Sequence, residues 1–371
     1  MFLLRIIALI LLVPLWNIPP RSASSTGEFD NFADWCNHRS QLTPEARYTV
    51  EMLLEKAETE ECDLARATLE NLSEIELNHR QIRDARPIAS LANLKILWLE
   101  RNQIEDITPL ASLENLESLV LVGNPIENID AIDSLVNLRT LALSGGRVED
   151  IAPLASLTKL ETLILIGNRI ADLSPLASLT NLKTLNMGDN RIEDLRPLST
   201  LVNLEFLALG NNRIKNIAPL AILTNLDRLF LYDNNIKDIV PLLSFPDLRS
   251  LSLSGNPINS IEILAALKNL DSLSLGETNI QDIRPLAALT RLEFLVLSNN
   301  AIANLAPLIP LQNLEIVFLN DNEIRDITPL TTLDNLKVAW LYNNPFLDSP
   351  EGRLCPLQPA SICRFEEPPY Y

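Results

Sequence analysis

Histidine and glycine are scarce in this chain of 371 residues, which contains two histidines and ten glycines. His38 and His79 lie near no serine or cysteine arrangement that would form a catalytic triad, and the sequence has no glycine-rich phosphate-binding loop. Carboxylates are numerous, but nearly all recur at equivalent positions, where turn capping and solubility explain them. We therefore predict that the protein is not an enzyme and uses no cofactor.

Basic residues are also few, with 30 Lys and Arg against 48 Asp and Glu and a net charge of −18. Neutralising the phosphates of a nucleic acid requires an extended basic patch, which this composition does not provide. The same excess of negative charge opposes direct docking on an anionic lipid surface. We expect neither a nucleic acid partner nor direct membrane binding.

Only one long apolar run occurs, and it lies at the N terminus. Arg5 precedes IIALILLVPLW, eleven mostly apolar residues interrupted by Pro14, and the small residues Ser22–Ser24 follow. This run is short for a bilayer span, so residues 1–24 predict a cleaved export signal, with retention as an anchor as the alternative. No cysteine directly follows, so we expect no lipid anchor. Export would place the chain in a periplasm or outside the cell.

The most informative feature is a repeat of 22 residues. Its first part, L-x-x-L-x-L-x-x-N, occurs thirteen times in complete or nearly complete form, from Leu72 to Leu336. We number the repeats 1 to 13 and count positions from that first leucine. The leucines alternate with other residues, which predicts a short strand with one buried face.

Asparagine occupies the ninth position of most repeats. Its amide can bond backbone groups of the turn that would otherwise be buried without partners. Arg80, Gly146 and Thr278 replace it in repeats 1, 4 and 10. The predicted structural ladder consists of Asn102, Asn124, Asn168, Asn190, Asn212, Asn234, Asn256, Asn300, Asn322 and Asn344.

The second part of the repeat reads D-I-x-P-L-A-S-L-T in its commonest form. Proline has no N–H to donate, so this part is not a central strand, and it is too short for an α-helix. We predict an extended segment followed by a 3₁₀ turn. Asp106, Asp150, Asp172 and their equivalents are expected to cap that turn.

The combined motif L-x-x-L-x-L-x-x-N-x-I-x-D-I-x-P-L resembles the leucine-rich repeats of the 22-residue bacterial class found in internalins, over residues 72–344. That resemblance implies an α/β repeat solenoid, a horseshoe whose concave sheet binds proteins. We expect a parallel concave sheet of about 13 strands, 3₁₀ turns on the convex side and a small helical N-terminal cap. Strands spaced at ~4.8 Å would make the sheet about 58 Å long.

All four cysteines lie outside the repeats, in a predicted N-terminal cap (25–71) and a C-terminal cap and tail (345–371). Cys36 and Cys62 flank a helix predicted to start near Thr43–Glu45, and Cys355 and Cys363 follow the last repeat. A solenoid needs covered ends, so we predict the disulfides Cys36–Cys62 and Cys355–Cys363. The alternative, a zinc site, would need cysteines from opposite ends of the rod to meet, so we expect no metal.

Positions 3, 5 and 7 alternate with the core leucines and should point out of the concave sheet. Of nine aromatic residues between Leu72 and Asn344, eight occupy these positions and only Phe245 does not. High β-propensity explains part of this excess. It does not explain why positions 3 and 5 carry only three charged residues, Glu74, Glu76 and Arg228.

Such an apolar surface with aromatic anchors is typical of protein-binding sites. The predicted protein-binding residues are Trp98, Phe206, Phe230, Tyr232, Phe294, Phe318, Trp340 and Tyr342. The apolar character should be extended by Ile96, Val120, Val122, Ile164, Ile166, Val296, Ile316 and Val338. Two groups of aromatics should be separated by a small-residue gap formed by Ser250, Ser252, Ser254, Ser272, Ser274 and Gly276.

Two rows of like charge also follow the period. Asp189, Asp233, Glu277 and Asp321 occupy position 8 of alternate repeats and are too far apart to share a calcium ion. We interpret them as a solvated flank, or alternatively as a surface for basic groups of a partner.

A row of arginines occupies position 10 of four successive repeats: Arg147, Arg169, Arg191 and Arg213. Glu149 and Glu193 could compensate them; otherwise they form a basic stripe for an acidic partner or glycan.

These observations predict an exported, disulfide-stabilised scaffold that recognises a protein ligand through its aromatic concave face. An alternative is a structural or adhesive envelope protein whose copies associate with one another through the same face. A third hypothesis, an intracellular enzyme-regulatory subunit, conflicts with the predicted signal and the terminal cysteines.

Overall fold

The computed structural model describes Phe29, residues 31–348 and residues 354–367. The predicted export signal, residues 1–24, lies outside the described residues. Among the helices of the described part, none combines the length and the apolar character needed to cross a bilayer.

The N-terminal cap contains three α-helices: α1 (Phe32–Asn37), α2 (Pro44–Ala57) and α3 (Cys62–Glu70). Only α2 was predicted, with its start at Thr43, whose hydroxyl accepts the Ala46 N–H at 3.2 Å. Its buried face includes Val50, Leu53, Leu54 and Ala57. The disulfide Cys36–Cys62 joins α1 to α3, with the two Cα atoms 5.6 Å apart. The cap therefore closes the apolar end of the repeats with helices held by a covalent bond.

The repeats form one parallel sheet with strands in sequence order. Each residue lies opposite the one 22 positions away, so that Leu141 pairs with Leu119 and Leu163. Leucines at positions 4 and 6 point into the core, where Leu163 and Leu165 are fully buried. The strands of the repeats are β1 (Glu74–Glu76), β2 (Ile96–Trp98), β3 (Ser118–Val120), β4 (Thr140–Ala142), β5 (Thr162–Ile164), β6 (Thr184–Asn186), β7 (Phe206–Ala208), β8 (Arg228–Phe230), β9 (Ser250–Ser252), β10 (Ser272–Ser274), β11 (Phe294–Val296), β12 (Ile316–Phe318) and β13 (Val338–Trp340).

A fourteenth strand, β14 (Cys363–Arg364), corrects the expected number of about 13. It pairs in parallel with β13, Ala339 lying opposite Cys363. Its position breaks the 22-residue period, so the repeat pattern gives no signal for it. The disulfide Cys355–Cys363, with Cα atoms 5.9 Å apart, ties this strand to the cap segment that follows the last repeat.

The convex side consists of 3₁₀ turns in repeats 2 to 12, such as Ala152–Ser156. The aspartate at position 13 accepts the N–H of the first turn residue, as Asp150 does from Ala152 at 2.8 Å. Repeat 1 differs from the prediction, because its turn is a single α-helical turn, α4 (Arg86–Ala89). This helix packs against the N-terminal cap, with the Arg86 guanidinium 5.7 Å from the centre of the Trp35 ring.

The predicted asparagine ladder is present and joins neighbouring repeats. Asn124 donates to the carbonyl groups of Leu121 (2.9 Å) and Leu99 (2.8 Å), the second in the preceding repeat. Its side-chain oxygen accepts the Ile104 N–H at 3.0 Å. One buried side chain thereby satisfies three backbone groups of two repeats, which is why asparagine is needed at this position.

The two interior gaps in the ladder, in repeats 4 and 10, follow proline at position 10 of the preceding repeat. Pro125 precedes Ile126, whose N–H bonds the Asn124 carbonyl at 2.9 Å and so needs no asparagine from the next repeat. Gly146 fills that place, where a Cβ would lie 2.8 Å from the Ile126 carbonyl oxygen. The second gap has the same cause: Pro257 precedes Ile258, whose N–H bonds the Asn256 carbonyl at 2.9 Å. Thr278 fills this gap, and its hydroxyl donates to the Leu275 carbonyl at 2.7 Å.

A second, exposed asparagine ladder runs along the amino ends of the strands, at position 22. Each side chain donates to a carbonyl 23 residues earlier, as Asn137 does to Glu114 at 2.8 Å. The sequence carries this signal in the recurrent N-L pair, which the sequence analysis missed. The members are Asn93, Asn115, Asn137, Asn181, Asn203, Asn225, Asn269, Asn313 and Asn335.

Candidate functional site

The concave face, formed by positions 3, 5 and 7, carries all eight of the predicted aromatic residues. Seven of them are half-buried and Tyr232 is 37% exposed, whereas Phe245 is buried in the core. The period-2 register therefore places these rings correctly, outside the leucine core. The structure describes their position, and their role in binding remains a prediction.

The C-terminal repeats bring four aromatic rings into one contiguous cluster, which we call the aromatic cluster: Phe294, Phe318, Trp340 and Tyr342. The ring centres of Phe294 and Phe318 are 5.6 Å apart, and those of Phe318 and Trp340 are 6.1 Å apart with nearly parallel planes. Trp340 and Tyr342 meet edge to face at 6.4 Å. Because each ring covers part of its neighbour, the rings are fixed in place while still reaching solvent.

Tyr342 ends the aromatic cluster beside two carboxylates. Burial, and then the charges of Asp321 and Glu367, raise the pKa of its phenol above the usual value. The hydroxyl thus stays protonated at neutral pH and can donate a hydrogen bond to a ligand. The cluster combines apolar area with one polar group at its edge.

A smaller group lies in repeats 7 and 8. Phe206 and Phe230 contact each other with ring centres 5.5 Å apart. Tyr232 does not simply point outwards: its ring covers Gly210, where a Cβ would overlap it, and its hydroxyl reaches towards Gly188. Burial is the main cause that raises the pKa of Tyr232. These glycines provide the space for the ring, a relation that the sequence analysis missed.

The remaining concave residues separate or extend these groups. Trp98 lies alone near the N-terminal end, whereas the predicted small-residue gap lies in repeats 9 and 10. Within that gap Ser254 accepts the Gly276 N–H at 3.0 Å. Ile164 was expected to extend the exposed apolar surface but is only 8% exposed. Curvature of the sheet crowds concave side chains, and Ala142 and Ala208 are buried there for the same reason.

Position 8 adopts a left-handed conformation in all thirteen repeats, with φ between 50° and 75°. Glycine, asparagine and aspartate tolerate this conformation best, and they fill ten of the thirteen positions. The acidic row belongs to this turn. Asp189 accepts a hydrogen bond from Asn211, and Asp321 accepts one from Asn343 at 2.7 Å, each from the next repeat. Half of the acidic row thus has a structural partner.

The arginine row, formed by Arg147, Arg169, Arg191 and Arg213, contradicts the expected compensation. All four side chains are exposed. Over the described residues, no carboxylate lies within 4.0 Å of their guanidinium groups, Glu149 and Glu193 included. The predicted pairs with Glu149 and Glu193 therefore do not form. The row is a stripe of unpaired positive charge.

Within residues 31–348 and 354–367, no group of three His, Cys, Asp or Glu side chains is placed to hold a metal ion. The four cysteines are joined in the two cap disulfides. The concave face presents aromatic contact area, with the Tyr342 hydroxyl at the edge of the aromatic cluster.

This architecture is similar to that of known proteins. The family described as Leucine Rich repeats (2 copies) matches residues 70–112, 114–156, 158–200, 180–222, 224–266 and 268–310. No curated protein matches the sequence. The solved structure of an internalin (InlF) from Listeria monocytogenes has 34% sequence identity and a TM-score of 0.76, covering 82% of this chain and 91% of that chain.

Two more distant structures share the fold. The functional domain of InlJ from Listeria monocytogenes has 19% identity and a TM-score of 0.57, covering 85% of this chain and 76% of that chain. The leucine-rich-repeat ectodomain of the Arabidopsis thaliana receptor kinase GASSHO1/SCHENGEN3 has 22% identity and a TM-score of 0.55, covering 72% of this chain and 41% of that chain.

Proposed function

This chain belongs to the leucine-rich-repeat family in its internalin-like form, and from that premise we propose that it is an exported scaffold that binds a protein through its concave face. Proteins of this type are in general protein-interaction scaffolds. We further propose that the chain itself has no enzymatic activity. The two disulfides of the caps support export, because such bonds persist in oxidising compartments.

The aromatic cluster is the observation that carries this proposal. Its four rings contact one another across three repeats and remain partly exposed. Large aromatic side chains at a desolvated centre supply most of the binding energy in protein interfaces. Rings that are already ordered lose little conformational entropy on binding, which favours affinity. The remaining concave side chains are mostly small or aliphatic and allow a partner to approach closely.

A protein of the same fold has been solved together with a binding partner. The GASSHO1/SCHENGEN3 ectodomain was solved in complex with CASPARIAN STRIP INTEGRITY FACTOR 2. For this chain we propose a protein ligand of the same general kind, without transferring that ligand's identity. The net charge of −18 supports a protein over a nucleic acid, whose phosphates would be repelled.

The test compares Phe318→Ser/Trp340→Ser with the unmodified protein. A partner is first captured by crosslinking with the wild-type chain, and its affinity is then measured for both proteins. We expect the double variant to bind at least about a hundredfold more weakly, as truncated hot spots do. Circular dichroism should show an unchanged fold, because both side chains lie outside the leucine core.

Ser250→Ala/Ser274→Ala is the matched control, since both serines are partly exposed on the same face in the small-residue gap. We expect its affinity to change little. Normal binding by a folded Phe318→Ser/Trp340→Ser variant would refute recognition through the aromatic cluster. Unfolding of that variant would show instead that the rings are structural.

Self-association remains the second candidate function, because the same apolar face could meet another copy. Light scattering over a concentration series separates the two. A monomer at all concentrations supports a receptor for another protein, whereas a dimer abolished by Phe318→Ser/Trp340→Ser supports association between copies.

A further inference from the structure

The arginine row is a strongly charged feature that the proposed function leaves unused. Its four residues occupy position 10 of repeats 4 to 7, so neighbouring Cα atoms are separated by the strand spacing of ~4.8 Å and the row is about 14 Å long. Exposed like charges stacked in this way repel one another. An internal partner would remove that cost, but the described residues provide none.

The opposite edge of the sheet shows how this fold pairs charges when they are structural. At position 2, opposite charges alternate from repeat 2 to repeat 6: Lys95 bonds Glu117 at 2.9 Å, and Glu161 bonds Arg139 at 2.7 Å and Lys183 at 2.9 Å. The repeat thus readily places an acid beside a base in the neighbouring turn. At position 10 it places four arginines in succession. Unlike these paired residues of repeats 2 to 6, the four arginines have no counter-charge within the described residues, so an anionic group of a partner can supply it.

Access to the row is open on the side that faces the concave sheet. Position 8 lies between the row and the sheet, and in repeats 4 and 5 it is Gly145 and Gly167. A Cβ at either glycine would meet only the backbone of the preceding repeat, at 3.6 to 3.8 Å. These two glycines therefore place no side chain of their own between Arg147 or Arg169 and the concave face. A ligand on that face can reach their guanidinium groups directly.

The chemistry and length of the row define the occupant. A guanidinium binds a carboxylate through two parallel hydrogen bonds. The row ends after four residues, since position 10 is Pro125 before it and Asn235 after it. A long polyanion would continue past these ends onto Asp233 and onto a chain of net charge −18. A short segment with a few clustered carboxylates fits within the row.

We propose that the arginine row docks an acidic segment of the protein that the concave face binds. This inference rests on the proposed function, because it assigns a charge to the same partner. One ligand would then be held by aromatic contacts in repeats 11 to 13 and by ion pairs in repeats 4 to 7. The acidic segment would supply orientation and a faster, salt-dependent association.

The row can be tested without the natural partner. The probe is fluorescein-labelled hexaglutamate, compared with hexaglutamine, and binding to the full mature chain is followed by fluorescence anisotropy at low ionic strength. We expect hexaglutamate to bind, hexaglutamine not to bind, and added salt to weaken the complex. Arg169→Gln/Arg191→Gln should weaken hexaglutamate binding about tenfold, since each exposed pair contributes up to about fivefold.

The matched control is Arg325→Gln/Lys268→Gln, which removes the same charge from two exposed residues outside the row. We expect its affinity for hexaglutamate to stay within about twofold of the wild type. An equal loss in the control, or no binding of hexaglutamate by the wild type, would overturn the proposal. Circular dichroism should show both variants folded, because removing a repulsive charge imposes no strain.

Two further measurements test whether the ligand of the row is a glycan and whether the row acts independently of the aromatic cluster. A sulfated oligosaccharide of similar charge that binds more tightly than hexaglutamate and depends on Arg169 and Arg191 would replace the peptide by a glycan. Phe318→Ser/Trp340→Ser should bind hexaglutamate normally, because the aromatic cluster is more than three repeats away. The two proposals therefore fail in different experiments. If the aromatic cluster does not bind the partner, the partner-binding assay shows it; if the arginine row does not bind acidic segments, the hexaglutamate assay shows it.

Discussion

The N-terminal and C-terminal halves of the solenoid share one core and present different surfaces. Leu119 in repeat 3 and Leu295 in repeat 11 are both fully buried at position 4 of their strands. Outside the core, repeats 4 to 6 carry small and aliphatic concave residues beside the arginine row. Repeats 11 to 13 carry the aromatic cluster beside acidic residues. Because core and surface use different positions of the repeat, the surface can change along the chain while the framework stays the same.

The two caps differ in a related way. Three helices and a disulfide that spans 26 residues cover the first repeat. The last repeat is covered by a two-residue strand and a disulfide that spans 8 residues. A solenoid exposes an apolar surface at each end, so each cap has to shield one repeat. The larger cap encloses the longer covalent loop.

The largest expected effect concerns these disulfides. Removing Cys36–Cys62 by Cys36→Ser/Cys62→Ser should lower the free energy of unfolding by about 3.5 kcal/mol, because its loop restricts the unfolded chain more. Cys355→Ser/Cys363→Ser should cost about 2.5 kcal/mol. Denaturant titration of the two variants measures the difference. An equal or reversed order would show that loop length does not distinguish the caps.

The tryptophans of the two halves sharpen the comparison of the surfaces. Trp340→Ser removes a ring that contacts Phe318 and Tyr342, and should weaken partner binding by about 2 kcal/mol or more. Trp98→Ser, at the isolated ring near the N terminus, should cost less than about 1 kcal/mol. Titration calorimetry with the captured partner provides both values. A larger loss for Trp98→Ser would move the binding site to the N-terminal half.

The asparagine ladder tests whether the framework is uniform. Asn124 and Asn322 are both buried and make equivalent bonds to their own and the preceding repeat. Each change to alanine leaves buried backbone groups unpaired, so each should cost about 1–3 kcal/mol. We expect the two losses, measured by urea titration, to agree closely. A clear difference would mean that the two halves do not share one framework.

The smallest expected effect is a pH dependence of folding stability that arises from the turn-capping aspartates. Hydrogen bonds from Ser174 lower the pKa of Asp172 below its ordinary 3.8, and those from Thr328 lower that of Asp326. A lowered pKa in the folded state gives stability that is present above pH 3.8 and is lost as the pH falls through the folded-state pKa.

Asp172→Asn and Asp326→Asn should each reduce the drop in melting temperature between pH 7 and pH 3. Asparagine retains the acceptor, as Asn216 does for the Ala218 N–H at 2.9 Å. Both halves should respond alike. A drop as large as in the wild type would show that other carboxylates determine the acid sensitivity.

Much of the site could be predicted because it follows the local period. Trp340 points out of the core since strand side chains alternate, and Asp150 caps its turn since both partners lie two residues apart. The left-handed turn at position 8 also had a signal, in Gly145, Asp189 and their equivalents. The second asparagine ladder, which includes Asn137, also had a signal in the recurrent N-L pair. These features were missed although the sequence contains them.

Other features depend on residues far apart in the chain. Tyr232 covers Gly210 because stacking brings residues 22 positions apart into contact, and no single repeat indicates this. The arginine row has no carboxylate within 4.0 Å among the described residues, although Glu149 and Glu193 lie only two residues away in the sequence. Helices α1 and α3 and strand β14 lie outside the period, and packing fixes them: α3 packs against α1 and α2, and β14 pairs with β13.

The sequence alone determined the solenoid, its strand register, the identity of its core and the side of the sheet on which each aromatic residue lies. It did so because one 22-residue pattern is repeated in register, and each copy obeys the same steric and hydrogen-bond constraints. The tertiary structure decided which rings touch, which charges stay unpaired, and how the ends close. Those outcomes depend on distances between different repeats, and only the stacked, curved arrangement of the chain sets these distances.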